Sequence, residues 1–426
     1  MAKSQIIAGI EIGSSKIVTL IAQTEEEPVS LHTKVNVVGV SSVESKGIKK
    51  GQIVDIDEAV EATIASVERA ERMAGYNLDR AYIAIGGAHI DSQNSHGVVA
   101  VSDPDKEVSE TDVDRVIEAA SAVSMPSSRE VIHVIPREFI VDGESGVKVP
   151  LGMSGVRLEV HTHLVTASSA AIKNLQKAVN EVGVDIEGFV FSGIAAARSV
   201  LTKTEKELGC VLIDVGGGMT SIVAYIDGAL SYSGVIPIGS KNVTNDLAIG
   251  LRVSLDNAEK IKVLLSNEKM AQKGKKLPGE SDQMDLSKLG VDVGRKVSRK
   301  TLTEGIIRPR LNEIFSMVRL QLEKEKINTR IPSGAVITGG GAQIVGALDS
   351  AKRMLALPVR IGTPKGVGGL IDDVMEPSFA SAVGLLLYAA DQEPHTSGVG
   401  SISKRFKMPS GGLASKLFSS LKDLLP

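Results

Sequence analysis

The chain has 426 residues, too many for one compact core and suited to two to four subdomains. Its composition, 42% hydrophobic and 23% charged, is globular and excludes wholesale disorder. With 48 Lys plus Arg against 51 Asp plus Glu, no Trp, seven Phe and five Tyr, the sequence argues against a dominant basic face or a stacking surface for nucleic acid and leaves only local patches open. The single cysteine, Cys210, excludes an intrachain disulfide framework and a multi-thiolate metal site, and it suits a reducing compartment. The first residues show no signal-peptide pattern, and the small, apolar run Ala380–Ala390 is about half a bilayer span. The expectation is a cytoplasmic, soluble chain unless something lays it on a membrane surface.

In chain order, Ile6–Ile12 and Lys16–Ala22 read as two strands joined by Gly13-Ser14-Ser15. A helix is expected over Glu58–Met73, with Val60, Ile64, Val67 and Ala70 on one face and Gly75 as its stop. From Gly86 to about His163 the texture changes: a helix Asp112–Val123 behind a Ser109-x-x-Asp112 cap, then strands Glu130–Val141 and Val156–Thr166, read as a small α+β insertion. His161 and His163 are two apart on a strand and share a face; with no third ligand nearby they read as a surface or core pair. A helix at Ala170–Val182 follows. Strands Gly209–Val215 and Ser221–Ile226 then flank Gly216-Gly217-Gly218, with helices at Asn242–Leu251, Asn257–Leu265 and Lys300–Lys326. Ser266–Ser298 reads as a solvated loop, and Asp391–Pro409 as a flexible linker. Alternation of strand and helix signals predicts an α/β architecture.

The two halves resemble each other. Ile10-Glu11-Ile12-Gly13-Ser14-Ser15-Lys16 can be laid on Ile213-Asp214-Val215-Gly216-Gly217-Gly218-Met219. Each has an apolar strand, an acid two residues before a glycine, a turn of small residues and a second strand. Small residues let backbone N–H groups approach phosphate oxygens. The acids, which repel phosphate, suit Mg²⁺ or its water shell, and Lys16 suits a countercharge. One such loop is equally an ordinary hairpin; two in corresponding places point to a nucleotide held between related domains. A third cluster, Gly339-Gly340-Gly341-Ala342, precedes an expected helix Gln343–Ala356 and would admit a base or ribose, with phosphate at the helix N-terminus. Gly193-Ile194-Ala195-Ala196-Ala197 and Ala380-Ser381-Ala382-Val383-Gly384 would let two helices cross closely, as a hinge needs.

In this order these segments resemble the phosphate-1, connect-1, phosphate-2, adenosine and connect-2 motifs of the actin-like ATPase superfamily. Gly51-Gln52-Ile53-Val54-Asp55, His133-Val134-Ile135-Pro136, Gly152-Met153-Ser154-Gly155-Val156-Arg157 and the C-terminal segment resemble the FtsA family of bacterial cell division proteins over essentially the whole chain. Glu11 stands where many superfamily members have Asp, an FtsA-like departure. The resemblance implies an actin-like, ribonuclease-H-like two-domain ATPase fold: subdomain IA over 4–85 and 164–197, an inserted α+β subdomain IC over 86–163, IIA over 198–240 and 301–390, and IIB over 241–300. A linker over 391–410 and an amphipathic helix over 411–426 complete it. It implies Mg-ATP held by Glu11, Gly13, Ser14, Ser15, Lys16, Asp214, Gly216, Gly217, Gly218 and Met219, with Glu11 and Asp214 facing the metal. Gly340, Gly341, Glu259 and Lys262 would hold the nucleoside. Glu259 has a second reading from the residues alone, since Asp256-x-x-Glu259 is itself a capping-box pattern. No catalytic residue is assigned. The resemblance also implies filament formation, FtsZ as a partner through its C-terminal peptide near Arg299, and recruitment of later division membrane proteins.

In Gly411–Pro426, at ~100° per residue, Leu413, Ala414, Leu417, Phe418, Leu421, Leu424 and Leu425 fall within an arc of about 140°, with Lys416 and Lys422 outside it. Lys404, Arg405 and Lys407 precede it. A terminal helix docked on its own domain is one reading. The linker and lysine flank favour a helix lying in the interface of an anionic membrane, as FtsA-like proteins have, and would place the protein peripherally on the cytoplasmic face at the division site. The rival classes are a sugar- or acetate-kinase-type phosphotransferase, an actin-like chaperone ATPase and an MreB-like membrane filament protein. The first gives no reason for the amphipathic segment, and the second needs a further peptide-binding domain. The third does not explain the insertion or the C-terminal position of the amphipathic segment.

Overall fold

A computed structural model describes residues 5–26, 33–103, 105–271, 282–284, 286, 296–370, 372 and 374–392. The linker beyond Gln392 and the whole amphipathic segment, with Leu413, Lys416, Leu417, Phe418, Leu421, Lys422, Leu424 and Leu425, lie outside the described residues.

The first half opens with β1 (Gln5–Ile12), β2 (Lys16–Glu26) and β3 (Thr33–Glu44), a short ribbon β4 (Ile48–Lys49) and β5 (Gln52–Ile53), then α1 (Ile56–Ala74) and β6 (Arg80–Ile85). The insertion follows: β7 (Asp91–Ala100), α2 (Glu110–Ser121), β8 (Arg129–Val141), β9 (Glu144–Val147) and β10 (Arg157–Ser168). Next come α3 (Ser169–Asn180), β11 (Asp185–Phe191), α4 (Ser192–Val200) and α5 (Lys203–Leu208). The second half contains β12 (Cys210–Val215), β13 (Thr220–Ile226), β14 (Ala229–Ile236), α6 (Ser240–Leu251), α7 (Leu255–Ala271), the ribbon β15 (Gln283–Met284) with β16 (Val297–Ser298), and α8 (Arg308–Lys324). It ends with β17 (Ala335–Thr338), α9 (Ala347–Leu355), β18 (Val359–Ile361), β19 (Gly368–Gly369) and α10 (Ala380–Gln392).

The internal repeat is carried by topology. One sheet is ordered β11-β6-β1-β2-β3-β19 and the other β14-β13-β12-β17-β18. In each, three strands form an antiparallel meander. Two later strands are then added in parallel beside the first. The insertion forms its own antiparallel sheet, β7-β10-β8-β9, with α2 packed on it behind a Ser109–Asp112 capping box. That box is fully satisfied: Asp112 accepts from Ser109 and Ser102 and its carboxyl is held down at about 2 by those hydrogen bonds against the opposing effect of burial.

Several expectations shift. Val60 and Ile64 of α1 are only half-buried, while Ala59, Ala62, Thr63, Ser66, Val67 and Ala70 form the buried face. The sheet comes too close for larger residues: a Cβ on Gly39 of β3 would sit 2.5 Å from the Ala70 carbonyl oxygen. The helix expected over Lys300–Lys326 begins as a π-helical turn, Thr301–Ile307, before α8. Pro309 has no N–H for a regular bond at that point, which favours the wider turn. The helix expected from Gln343 is instead a 3-10 turn, Gly340–Gln343, and α9 starts at Ala347. Ser266–Ala271 belongs to α7, and Met284 and Leu286 are buried in the second core, so that segment is not wholly a solvated loop.

α4 and α10 cross where the small residues predict. A Cβ on Gly384 would lie 1.8 Å from the Ala195 carbonyl oxygen, so the two backbones touch and only glycine fits. The insertion meets the second half through polar contacts between β7, β8, β10 and β14. Ser92 Oγ donates to the Ser233 carbonyl at 2.7 Å, Asn94 Nδ2 to the Ser231 carbonyl at 3.2 Å, and Arg137 to Ser231 Oγ at 3.0 Å. His163 belongs to this contact, bonded to Asn94 and Ser233 and pushed down to about 3 by burial. His161 instead pairs with Glu138 at 3.0 Å, and a β-bulge separates it from Thr162. Among the described residues no cluster of three or more His, Cys, Asp or Glu could hold a metal ion by itself. None of the described helices is long and apolar enough to cross a membrane.

Candidate functional site: a cleft between twin hairpins

The two glycine hairpins have the same backbone construction. Ile12 pairs with Ile17 and Val215 with Thr220, leaving four residues in each turn. The turns close with the same hydrogen bond: Gly13 N–H donates to the Lys16 carbonyl at 3.1 Å, and Gly216 N–H to the Met219 carbonyl at 2.9 Å. The hairpins also touch. A Cβ on Gly217 would stand 1.8 Å from Ser15 Oγ, and one on Gly218 2.7 Å from Ser14 Oγ. Lys241 Nζ, on α6, donates across the gap to the Ser14 carbonyl at 2.8 Å.

Behind this contact lies a cavity of about 490 Å³. Glu11, Gly13, Ser14, Ser15, Lys16, Asp214, Gly216, Gly217, Gly218, Met219, Glu259, Lys262 and Gly340 all line it. Gly341 does not: it is buried, and a Cβ there would run into Val215. Gly339 takes its place on the wall. Its φ of +81° and the 2.2 Å that would separate a Cβ from Asp214 Oδ1 leave no alternative to glycine. Because the Gly340–Gln343 segment is a 3-10 turn, no α-helix N-terminus is presented there, contrary to the expectation.

The charges at the closed end are coupled. Burial drives the Glu11 carboxyl upward against the pull of Lys16, and Glu11 Oε2 has no hydrogen-bond partner. Asp214 is pushed up to about 7 by burial and by the Glu11 charge, with Lys16 opposing. The Lys16 ammonium is lowered by burial and supported by Glu11, Glu376 and Asp214. It donates to Ser378 Oγ at 3.2 Å and lies 3.6 Å from the Phe379 ring centroid. Two carboxylates, one with an orphaned buried oxygen, fit a hard cation that keeps part of its water shell. Met219, the counterpart of Lys16, adds no charge: its side chain reaches across to Gly51 and Gly86 of the first half.

At the other end, α7 presents Glu259 and Lys262. Lys262 Nζ donates to Glu259 Oε2 at 2.7 Å and to Thr244 Oγ1 at 2.9 Å, and Thr244 Oγ1 donates to Glu259 Oε2 at 2.6 Å. The capping-box reading of Asp256-x-x-Glu259 does not hold, because Ser254 Oγ accepts from Asn257 N–H and the Glu259 carboxylate is committed to Thr244 and Lys262. Lys241, Ser266, Asn267, Gln343, Glu376 and Ser378 are additions that sequence reasoning missed. Only Lys241 had a local signal, standing in the first turn of the helix that follows the second glycine hairpin by one strand. Arg299 is not in the cleft; it lies beside β16, its N–H donating to the Asp282 carbonyl at 2.8 Å. The Asp282 carboxylate accepts from Ser298 Oγ and from Lys300 N–H.

The repeated sheets, the crossed helices α4 and α10 and the cleft between hairpins define an actin-like two-domain protein. Among solved structures, the PilM-PilN type IV pilus biogenesis complex superposes with a TM-score of 0.62 at 16% identity, covering 91% of this chain and 99% of that one. MreB5 of Spiroplasma citri bound to ADP superposes with a TM-score of 0.50 at 13% identity, over 88% and 94%. These likenesses concern the fold alone. Sequence is more specific: a family model for "Cell division protein FtsA" matches residues 211–384, and one for "SHS2 domain inserted in FTSA" matches 87–166. The Cell division protein FtsA of Pseudomonas aeruginosa is 38% identical over 91% of this chain and 90% of its own length. Those of Escherichia coli K12 and Bacillus subtilis are 34% and 35% identical, over 98% and 91% of this chain and 98% and 84% of their own lengths. The chain belongs to the FtsA family of actin-like cell division proteins.

Proposed function

We propose that the chain binds Mg-ATP in the cleft, polymerises on the cytoplasmic face of the membrane at the division site, and anchors FtsZ filaments there while helping to recruit later division membrane proteins. The carrying observation is the shared cavity between twin hairpins, with Glu11 and Asp214 at one end and Glu259 and Lys262 at the other. Magnesium bound with ATP supplies neutralisation of phosphate charge. Glu11 and Asp214 hold its water shell, Lys16 offsets the remaining charge, and the turn glycines let backbone N–H groups reach phosphate oxygens. Glu259 and Lys262 orient the nucleoside. Nucleotide then acts as a conformational ligand, favouring the arrangement in which the halves close about the α4–α10 crossing, by differential binding. The subdomain boundaries and the Arg299 contact with the FtsZ C-terminal peptide, drawn from the family resemblance, belong to the same reading.

Membrane attachment rests on the sequence pattern of 411–426. Each basic residue near an anionic leaflet contributes on the order of 1 kcal/mol, and the helix must also fold on binding, so one copy holds weakly. Neighbouring copies in a filament raise retention by roughly 10²–10⁴-fold. The test is co-sedimentation with anionic liposomes and Mg-ATP, comparing the full chain with one ending at Asp391, with and without an FtsZ C-terminal peptide. The full chain should sediment and carry the peptide down, and the shortened chain should do neither. Equal sedimentation of both would refute the tether.

A further inference from the structure

A second cavity, of about 360 Å³, shares no lining residue with the cleft. It lies where three parts of the molecule meet: β8 of the insertion, the α4–α5 segment between the halves, and the turn joining β13 to β14, with the end of α10 closing it. Five cations line it, namely Arg137, Lys148, Arg198, Lys203 and Lys206. Four carboxylates line it as well: Asp391 pairs with Arg198 inside the cavity, while Asp227 and Glu138, which also act favourably on Arg137, are bonded outward to Arg330 at 3.3 Å and to His161 at 3.0 Å. Glu207 is exposed. Apolar walls come from Phe139, Leu230 and Leu387.

Two of the cations lack a full set of hydrogen-bond partners, and both are half-buried. Arg137 donates to Ser231 Oγ from one terminal nitrogen, yet its buried Nε has no acceptor. Lys206 has no hydrogen-bond acceptor among the described residues, and its ammonium lies 5.1 Å from the Tyr225 ring centroid. Burial, with Arg198 and Lys203 nearby, lowers the Lys206 ammonium to about 8. A cation partly withdrawn from water without a hydrogen-bonded counter-ion attracts an anion, and a dianion with several acceptor oxygens can serve both groups at once.

We propose that this cavity binds a small phosphorylated ligand, its phosphate held by Lys206 and Arg137 and its organic part lying against Phe139, Leu230 and Leu387. The volume suits a phosphate ester and is too small for a folded partner. A ligand there touches the insertion and both halves, so its occupancy opposes any rearrangement that separates them, and coupling to the nucleotide cleft is reciprocal. The site stands independently of the nucleotide reading.

The test uses the full chain with Mg²⁺ and a non-hydrolysable ATP analogue in excess, and inorganic pyrophosphate as the probe. Mild acetylation of amines is followed residue by residue by mass spectrometry. Pyrophosphate should slow modification of Lys206 at least about fivefold, with half-protection below about 1 mM, and Arg137→Gln should raise that midpoint by about tenfold. Undiminished labelling of Lys206 at about 10 mM pyrophosphate, equal protection by sodium chloride of matched ionic strength, or a midpoint unmoved by Arg137→Gln would each overturn the proposal. Lys16 and Lys262 report separately in the same digest: if the analogue leaves them unprotected the cleft reading fails, whatever happens at Lys206.

Discussion

The first and second hairpins share a backbone and divide the chemistry. In both, the turn closes with the same N–H to carbonyl bond and an acid precedes the first glycine by two residues. The fourth turn position carries Lys16 in one copy and Met219 in the other. Lys16 stays in the cleft among three carboxylates, whereas Met219 crosses to pack on Gly51 and Gly86. Ser14 and Ser15 face Gly217 and Gly218, hydroxyl against bare backbone, so that the copies can touch. Duplication therefore fixes where the backbone goes, and asymmetry of side chains decides which copy supplies charge and which supplies closeness.

The largest expected effect breaks the close crossing of α4 and α10. Gly384→Ala forces a Cβ into the Ala195 backbone, and should cost about 3 kcal/mol in chemical denaturation. Gly305→Ala, where the nearest atom would be 4.0 Å away, should leave stability within about 0.5 kcal/mol of the parent or slightly above it. Equal losses for the two would remove close packing as the reason for the glycine. Next, Glu11→Gln and Asp214→Asn should each weaken magnesium-dependent ATP binding by roughly 10–100-fold, read by calorimetry with and without the metal. If only one of them acts, the copies do not share the cation. Smaller again, Lys16→Met installs the second copy's residue in the first and should weaken ATP about tenfold, because one charge-assisted contact is lost while the turn backbone remains. An unchanged affinity would mean that the Lys16–Glu11–Asp214 charges balance one another and not the phosphate.

Much of this asymmetry was legible in the sequence because it lies in contiguous motifs. The hairpins, the cap of α2 and the small residues of α4 and α10 are local signals with local causes. What escaped was assembled from afar. β7 reads Asp-Ser-Gln-Asn-Ser-His and lacks an apolar face, since its Ser92 and Asn94 are spent on hydrogen bonds to β14. Glu376 and Ser378 reach the cleft from a segment with no motif of its own. The late start of α9 follows from Gly346, whose φ of +86° breaks the helix that apolar spacing alone would begin at Gln343. Gly341 was misplaced by one position for a related reason: the turn's curvature, invisible in a run of three glycines, decides which of them faces the cavity.

The last pair of effects, which includes the smallest, concerns the outer parallel strand of each sheet. In the second half β18 is held to α5 by Arg360, which donates to both Glu205 oxygens at 2.6 and 2.7 Å; in the first half β11 is tied to β6 by Arg80 and Glu187 at 3.2 Å. The bidentate pair, aided by the Thr202 cap, holds the Glu205 carboxyl down at about 2, from 4.5. A carboxyl lowered on folding adds stability that is complete above its unfolded value and is lost as pH falls through the folded one. Discounted for the part of Arg360 that meets solvent, Glu205→Gln should cost about 1–2 kcal/mol at neutral pH, and Arg80→Gln, at an exposed single contact, less than about 0.5. In urea titrations the Glu205→Gln deficit should hold constant from pH 8 to about 5 and shrink between about 4.5 and 2. A deficit that persists undiminished at pH 2 would show that it does not come from the carboxylate charge, because a protonated Glu205 and a glutamine can both accept the Thr202 hydrogen bonds.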